Sequence, residues 1–440
     1  MKRTIVFVLS LACTVSAYAQ AAIKKDGVAI NTITTGVPFL RINPDARVGG
    51  MGDVGIATPA DAQCVYANPA KLSFIDGERD FGVALSFTPW LKSLVNDIYL
   101  TSLTGYYKIY DDKKGSPAER VRKMQTIAVA VRYFSLGNIT FTNDQGQETQ
   151  QFRPNEFATD LHYSRRLGKY FGLAASLRFV YSNLAGGQSV DGALIRPGIA
   201  GAGDISWYFQ KKFYKSETSF PQHNFSTGMN ISNIGSKITY TSNTVRDFLP
   251  ANLGVGFGYS IDIDAKNNVG FYTDVNRLLV PTPDTVDGNN NNIYDFREQS
   301  SIKGMFTSFA DAPGGAAEEM REFNFGVGAE YYYNKMFGVR FGYFYEPRTK
   351  GNRQFLTAGL SVKYSIFGLN FSYLIPTSIQ RNPLDNTLRF SLLFDFKPGG
   401  KKAPNTEVGA PAPTEEKPTK KKVKEDSREI KEMAPDNGGN

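Results

Sequence analysis

Segments of about ten residues in which every second side chain is apolar constrain this chain more than any other feature of it. In TLRFSLLFDF, Leu388, Phe390, Leu392, Phe394 and Phe396 share one side of an extended backbone, and Arg389, Ser391, Leu393 and Asp395 share the other. In FGLNFSYLI, Phe367, Leu369, Phe371, Tyr373 and Ile375 oppose Gly368, Asn370, Ser372 and Leu374. One face suits hydrocarbon and the other is mostly polar. The same reading places fourteen strands, at 80–88, 97–109, 125–135, 155–166, 171–183, 200–214, 223–232, 252–263, 268–277, 322–332, 337–346, 354–364, 367–375 and 387–396. The number is even, and most are near the roughly 9–11 residues that a tilted strand needs to cross a bilayer. The expected fold is all-β, a transmembrane antiparallel β-barrel of about fourteen strands with an N-terminal plug (hatch) segment.

Connection lengths support this expectation. After strands four, eight, ten and twelve the turns are tight, formed by RLGKY, DAKN, YNKM and YSI, while those after strands two and six are longer. After strands three, five, seven and nine the connections run from roughly 16 to 44 residues, the longest from Leu278 to Arg321. Short periplasmic turns with long outer loops are the outer-membrane pattern. Phe-Gly opens four odd-numbered strands, at Phe81, Phe171, Phe337 and Phe367, which would set these rings in one interfacial girdle. Composition agrees, with 13% aromatic residues and 42 glycines. Beyond the leader, no apolar run approaches the roughly 20 residues of a membrane helix.

The ends read differently. Residues 1–19 have the form of a signal peptide: Lys2 and Arg3, an apolar stretch from Thr4 to Val15, and Ala17-Tyr18-Ala19 as a cleavage site. The residues before Cys13 fit a lipoprotein signal poorly. Removing the leader leaves Cys64 as the sole cysteine, which excludes a disulfide-stapled fold. It also lowers the formal charge from +8 to +6, and with no basic stripe carrying interleaved aromatics, nucleic acid is not an expected partner. After Phe396, 44 residues rich in Pro, Lys and Glu lack any aromatic, so 397–440 reads as a disordered periplasmic tail after the 80–396 barrel.

Catalytic signatures are missing. H-E-x-x-H, G-x-S-x-G and C-x-x-C do not occur, and the expectation is a non-enzyme with no cofactor. His162 alternates with Asp160, Ser164 and Arg166 on a polar strand face, which suits a lumen hydrogen bond. GIAGAGD (198–204) resembles a nucleotide loop only superficially, because its spacing is wrong and no helix follows. DTVDGNNNNIYD (284–295) fails an EF-hand template, so a flexible polar loop is the expectation and an irregular loop calcium site the alternative. The predicted inward faces carry Asp160, Arg166, Arg178, Asp274, Glu330, Arg340, Lys363, Arg389 and Asp395, which implies a wet lumen with internal ion pairs.

A barrel of this size encloses a bore, and residues 20–79 are the available plug. Gly49, Gly50, Gly52 and Gly55 would let that backbone pack closely inside the wall. Asn68-Pro69-Ala70 would turn the chain from plug to first strand, with Pro69 holding Asn68 extended. Cys64 would be a small buried residue. Loops 184–197, 233–250 and 278–321 are too long for mere connections, and in the last of them Asp287, Asn291, Tyr294, Phe306 and Phe309 are candidate partner or cargo contacts.

The glycine-rich stretch with Asn68-Pro69-Ala70, together with fourteen strands, resembles the FadL-like outer-membrane barrels. Within them, TTGVPFLRINPDARVGGMGDVGIA (34–57), NPAKLSF and RDFLPANLGVGFGY (246–259) resemble the PorV family of the type IX secretion system of Bacteroidota. The likeness covers the mature chain to Phe396. It implies an outer-membrane, non-enzymatic component of protein export. Such a component binds the C-terminal signal domain of cargo at the translocon, a Sov/SprA-like barrel, and shuttles cargo to an attachment complex with a PorU-like sortase. That sortase cleaves the signal and links cargo to lipopolysaccharide. The competing reading is a FadL-like transporter of long-chain fatty acids or other hydrophobic molecules, which requires an apolar pocket and a lateral exit. A third, a lipopolysaccharide-modifying enzyme, lacks a recognisable catalytic set.

Overall fold

A strand whose two faces differ must hide one of them, and these strands do so by closing on themselves. In a computed structural model, which describes residues 30–75, 79–90, 97–109, 123–142, 145–187, 189–190, 193–216, 218–241, 246–291, 293–378 and 387–396, fourteen strands form one closed antiparallel barrel. They are β1 (Phe81–Pro89), β2 (Ile98–Ile109), β3 (Gln125–Leu136), β4 (Asn155–Leu167), β5 (Phe171–Asn183), β6 (Gly198–Phe213) and β7 (Gln222–Gly235). The ring continues through β8 (Asn252–Asp262), β9 (Asn267–Leu278), β10 (Phe323–Tyr333), β11 (Phe337–Tyr345), β12 (Gln354–Tyr364), β13 (Phe367–Pro376) and β14 (Leu388–Phe396). Each pairs with its neighbours in sequence, and β1 pairs with β14 from Phe81↔Phe396 to Phe87↔Phe390. The expected signal peptide, the 397–440 tail and the 20–29 part of the expected plug lie outside the described residues.

All fourteen strands fall where the alternation predicts them. In β5, Gly172, Ala174, Ser176, Arg178, Val180 and Ser182 are buried, while Leu173, Leu177 and Phe179 are exposed. The apolar side chains therefore point outward, the inverse of a water-soluble protein, as a lipid-facing wall requires. The largest boundary difference is in β7, which runs three residues past the predicted end at 232. Pairing with β6 shifts register between Gly203 and Ile205, and Asn233 is left-handed (φ 59°), so a bulge interrupts the alternation there.

The two ends of the barrel differ. β10 and β11 are joined through Asn334 and Lys335 at φ 51° and 55°, with Met336 N–H donating to Tyr333 O at 3.0 Å, the I′ geometry that matches strand twist. At the opposite end, the described residues of 279–322 carry three short α-helices, Asp295–Glu298, Ser301–Thr307 and Ala316–Glu319, and a 3₁₀ turn, Met320–Glu322.

Residues 30–75 are bonded to strands on every side of the ring. Ala46 N donates to Ser391 Oγ of β14 (2.9 Å), Gly52 N to Thr357 Oγ1 of β12 (2.8 Å), and Gly55 and Ile56 N to Asp274 Oδ2 of β9 (2.7 and 2.9 Å). Ala70 N donates to Ser206 Oγ of β6 (3.1 Å), Ser164 of β4 donates to Ala70 O (3.1 Å), and Lys108 Nζ of β2 to Ile75 O (2.9 Å). A segment held from all these directions lies in the lumen. Val37 and Phe39 pack with Trp90, Phe134 and Phe344 near the long-loop end, and Cys64, Leu72 and Ile75 pack with Ala84 and Tyr106 near the short-turn end. The chain thus traverses the lumen before entering β1.

Because the exterior of β11 is apolar and Phe341, at its centre, is 64% exposed, Phe341→Arg should destabilise the barrel by about 2–4 kcal/mol. A lowered midpoint of denaturant unfolding in lipid vesicles checks this.

Candidate functional site

Two regions collect the residues singled out by the sequence: the lumen filled by 30–75 and the surface at the long-loop end. In the lumen, the short helix Ala46–Gly49 is capped by Asp45, whose carboxylate accepts from Arg47 N at 2.8 Å. That cap aims Arg47 at Glu330 of β10, with contacts of 3.0 Å from Nε and 2.8 Å from Nη2. Arg340 of β11 donates to the same carboxylate at 2.6 Å, and Asp61 accepts from Arg47 at 3.1 Å. Two guanidiniums and two carboxylates balance, which offsets the cost of burying them away from water. A second set ties Arg132 and Arg178 to Asp160 and Asp204, and Arg132 also lies 5.3 Å over the Tyr66 ring. Arg389 pairs with Asp53 at 2.5 Å.

The glycines lie where the segment touches the wall. Gly52 is left-handed (φ 70°), and an added Cβ would fall 2.6 Å from the Tyr343 carbonyl oxygen. Gly50 and Gly359 of β12 meet backbone to backbone, and a Cβ on Gly49 would collide with Arg389. Asn68 is extended (φ −156°, ψ 97°), accepts from Ala70 N, and donates to Ile56 O at 3.1 Å and Trp207 O at 3.0 Å. Here the structure differs from the expected turn into the first strand. Asn68 caps a 3₁₀ helix, Pro69–Phe74, that packs against β3–β6, and β1 starts only at Phe81. The reason is the proline at the first helical position, whose fixed φ and missing N–H suit a helix start. Cys64 is buried and free, and His162 bonds Ser176 Oγ through Nδ1 at 2.7 Å.

At the long-loop end, Arg277 pairs with Glu319 and, at 2.8 Å, with Glu322, which also accepts from Thr282 and from Lys350 at 3.0 Å. Lys350 reaches Glu318 at 2.6 Å, and Asn31 Nδ2 donates to the same Glu318 oxygen at 3.1 Å. The 279–322 loop, the β11–β12 loop and the start of the lumen segment are thereby joined. Above this clasp the helix Ser301–Thr307, capped by Ser300, presses Gly304 onto Pro281 and Phe248. Ile302 and Phe306, on the helix face opposite Gly304, are 55% and 77% exposed, with Phe309 and Met320 also exposed.

Of the loop residues singled out, Phe306 lies on this helix and Phe309 follows it, half-exposed, with Arg277 4.8 Å over its ring. Asp287 and Asn291 instead shape a polar turn: Asp287 accepts from Asn291 N at 3.2 Å, and Asn291 Nδ2 donates to Glu298 at 2.5 Å. Tyr294 stacks on Phe296 at 6.2 Å. Sequence reasoning missed Ile302 and Met320, though the i, i+4, i+7 spacing of Ile302, Phe306 and Phe309 was available. It also missed the Arg277 clasp, whose partners are far apart in sequence. Among the described residues no group of three or more His, Cys, Asp or Glu side chains is placed to hold a metal ion.

A closed fourteen-stranded barrel with an apolar exterior and charges inside is an outer-membrane β-barrel protein. A family model described as PorV, type IX secretion system protein, matches residues 25–285, more than half of the 440-residue chain, and the chain belongs to that family. It is therefore an outer-membrane component of type IX secretion, from a non-enzymatic family. No curated protein matches. Similar solved structures include the toluene transporter TbuX of Ralstonia pickettii, at 12% identity and TM-score 0.42, covering 81% of this chain and 98% of that one. The P. putida toluene transporter TodX is also 12% identical with TM-score 0.42, covering 79% and 97%. A Pseudomonas aeruginosa FadL homologue is 8% identical with TM-score 0.37, covering 84% and 100%. Likeness at this level carries no functional inference.

Glu330→Gln would remove the carboxylate that the buried Arg47 and Arg340 share, leaving Arg47 only Asp61, an expected loss of about 3–5 kcal/mol read in denaturant unfolding. In the long loop, burial pushes the Asp311 carboxyl up from 3.8 to about 6, with Glu319 and Glu322 adding repulsion. A carboxyl raised in the folded state favours the fold below its unfolded pKa, and that contribution fades as pH rises through about 6. Protease protection of 279–322 should therefore fall as pH rises between these values, and Asp311→Asn should flatten the dependence.

Proposed function

We propose that this protein binds the C-terminal signal domain of cargo at the type IX translocon and shuttles it to the sortase-like attachment complex, through the long-loop end of a barrel plugged by residues 20–79. The observation that carries this reading beyond family membership is the exposed apolar helix face of Ile302 and Phe306, with Phe309 and Met320 exposed on the same loop. It is exposed on a loop clamped to the barrel rather than left free. Exposed apolar surface held in a fixed place is the mark of a partner site. The lumen favours this role over carriage of a hydrophobic molecule, since its wall presents Glu330, Arg340, Asp160, Arg178 and Asp274 to the segment that fills it. The sortase-like partner and the translocon barrel belong to this proposal, as does attachment of cargo to lipopolysaccharide. Both β1 and β14 meet the short-turn end, which supports a periplasmic exit for the 397–440 tail.

Deleting the gene should leave cargo with uncut C-terminal signals inside the cell. Phe306→Asp with Phe309→Asp should reproduce that defect in a protein that still shows heat-modifiable migration. Normal surface display in the deletion strain would sink the proposal.

A further inference from the structure

The space the lumen segment leaves unfilled has a chemistry of its own. Against β7–β11, near the long-loop end, lies a cavity of about 130 Å³. Liquid water occupies about 30 Å³ per molecule, so this is room for about four waters or one small organic molecule. Five asparagines line it: Asn230, Asn233, Asn252, Asn276 and Asn324, projecting from β7, β8, β9 and β10, and Asn43 of the lumen segment is a sixth.

Several of these groups have no protein partner. Asn230 gives its amide N–H to Ala67 O at 3.0 Å, but its Oδ1 is buried and unpaired. Asp274 spends Oδ2 on Gly55 and Ile56, and its Oδ1 is likewise buried and unpaired. The Asn324 side chain, only 6% exposed, makes no hydrogen bond among the described residues. Buried polar groups left unpaired are costly, and native proteins rarely keep several side by side unless something else meets them.

The charges around the cavity narrow what that is. Arg41 and Arg353 line it but pair with Glu346, and Asp53 pairs with Arg389, so apart from Asp274 the charges of the lining are matched and call for no counter-ion. The amide lining disfavours a hydrocarbon chain. Unpaired acceptors sit beside amides that both donate and accept, so the occupant must be neutral and supply both kinds of partner. Tyr66 and Phe344 add two ring walls. We propose that this cavity binds a small neutral polyhydroxylated molecule of about glycerol's size. This goes beyond the export role and does not depend on it.

The test is saturation-transfer NMR on the full-length barrel purified in lauryldimethylamine oxide, which carries no sugar headgroup, with glycerol, glucose, octanoate and calcium chloride as separate probes. Glycerol should receive saturation while glucose, too large for the space, should not, and Asn324→Leu should raise the apparent Kd for glycerol roughly tenfold, as expected for one lost buried hydrogen bond. The Asn324 side chain bonds nothing among the described residues, so this change should spare the fold, which heat-modifiable migration verifies. Asn230→Leu is the second variant. Saturation of octanoate alone would overturn the proposal, as would a calcium-induced shift alone. So would a glycerol signal that both variants leave unchanged, or no signal from glycerol.

Discussion

Everything inside this barrel follows from what a closed wall in hydrocarbon does to charge. Across the hydrocarbon the outer face can only be apolar, so the charges at mid-strand, such as Asp160, Arg178, Glu330 and Arg340, face the lumen. There each needs a partner, because water alone cannot reach all of a filled bore. Glu330 shows the consequence: it accepts from Arg340 on the neighbouring strand and from Arg47 on the segment that crosses the lumen. Wall and filling thus neutralise one another, which offsets the cost of burying both.

That interdependence reaches the surface. The start of the lumen segment, at Asn31, shares Glu318 with Lys350, and the adjoining acids Glu319 and Glu322 hold Arg277 at the end of β9. The apolar helix face with Phe306 stands on this clasp. A partner that presses on the helix therefore touches the same ionic set that anchors the lumen segment, giving the long-loop end and the bore a physical connection.

Much of the wall was legible in the sequence, because a period of two is a local property that survives without knowledge of the partner strand. It failed at the bulge near Asn233, where one extra residue inverts the faces. The candidate site was legible only in part. Phe306 and Phe309 stood out as apolar residues in a polar loop, but Asp287 and Asn291 proved to serve a local turn. The Asn-Pro-Ala motif was read as a turn into the first strand, yet it caps a 3₁₀ helix in the lumen. Nothing local distinguishes those outcomes, since Pro after Asn suits both.

By itself, the sequence determined the number of strands, their faces and the two unlike ends, because alternation and loop length are written residue by residue. Tertiary structure alone decided which charges meet. Arg47 and Glu330, or Asp53 and Arg389, are hundreds of residues apart and become neighbours only when the ring closes around the segment. The same closure set the glycines against Tyr343 and Gly359 and left an asparagine-lined space beside them. No local pattern encodes a gap: its shape is what remains after every other group has found its place.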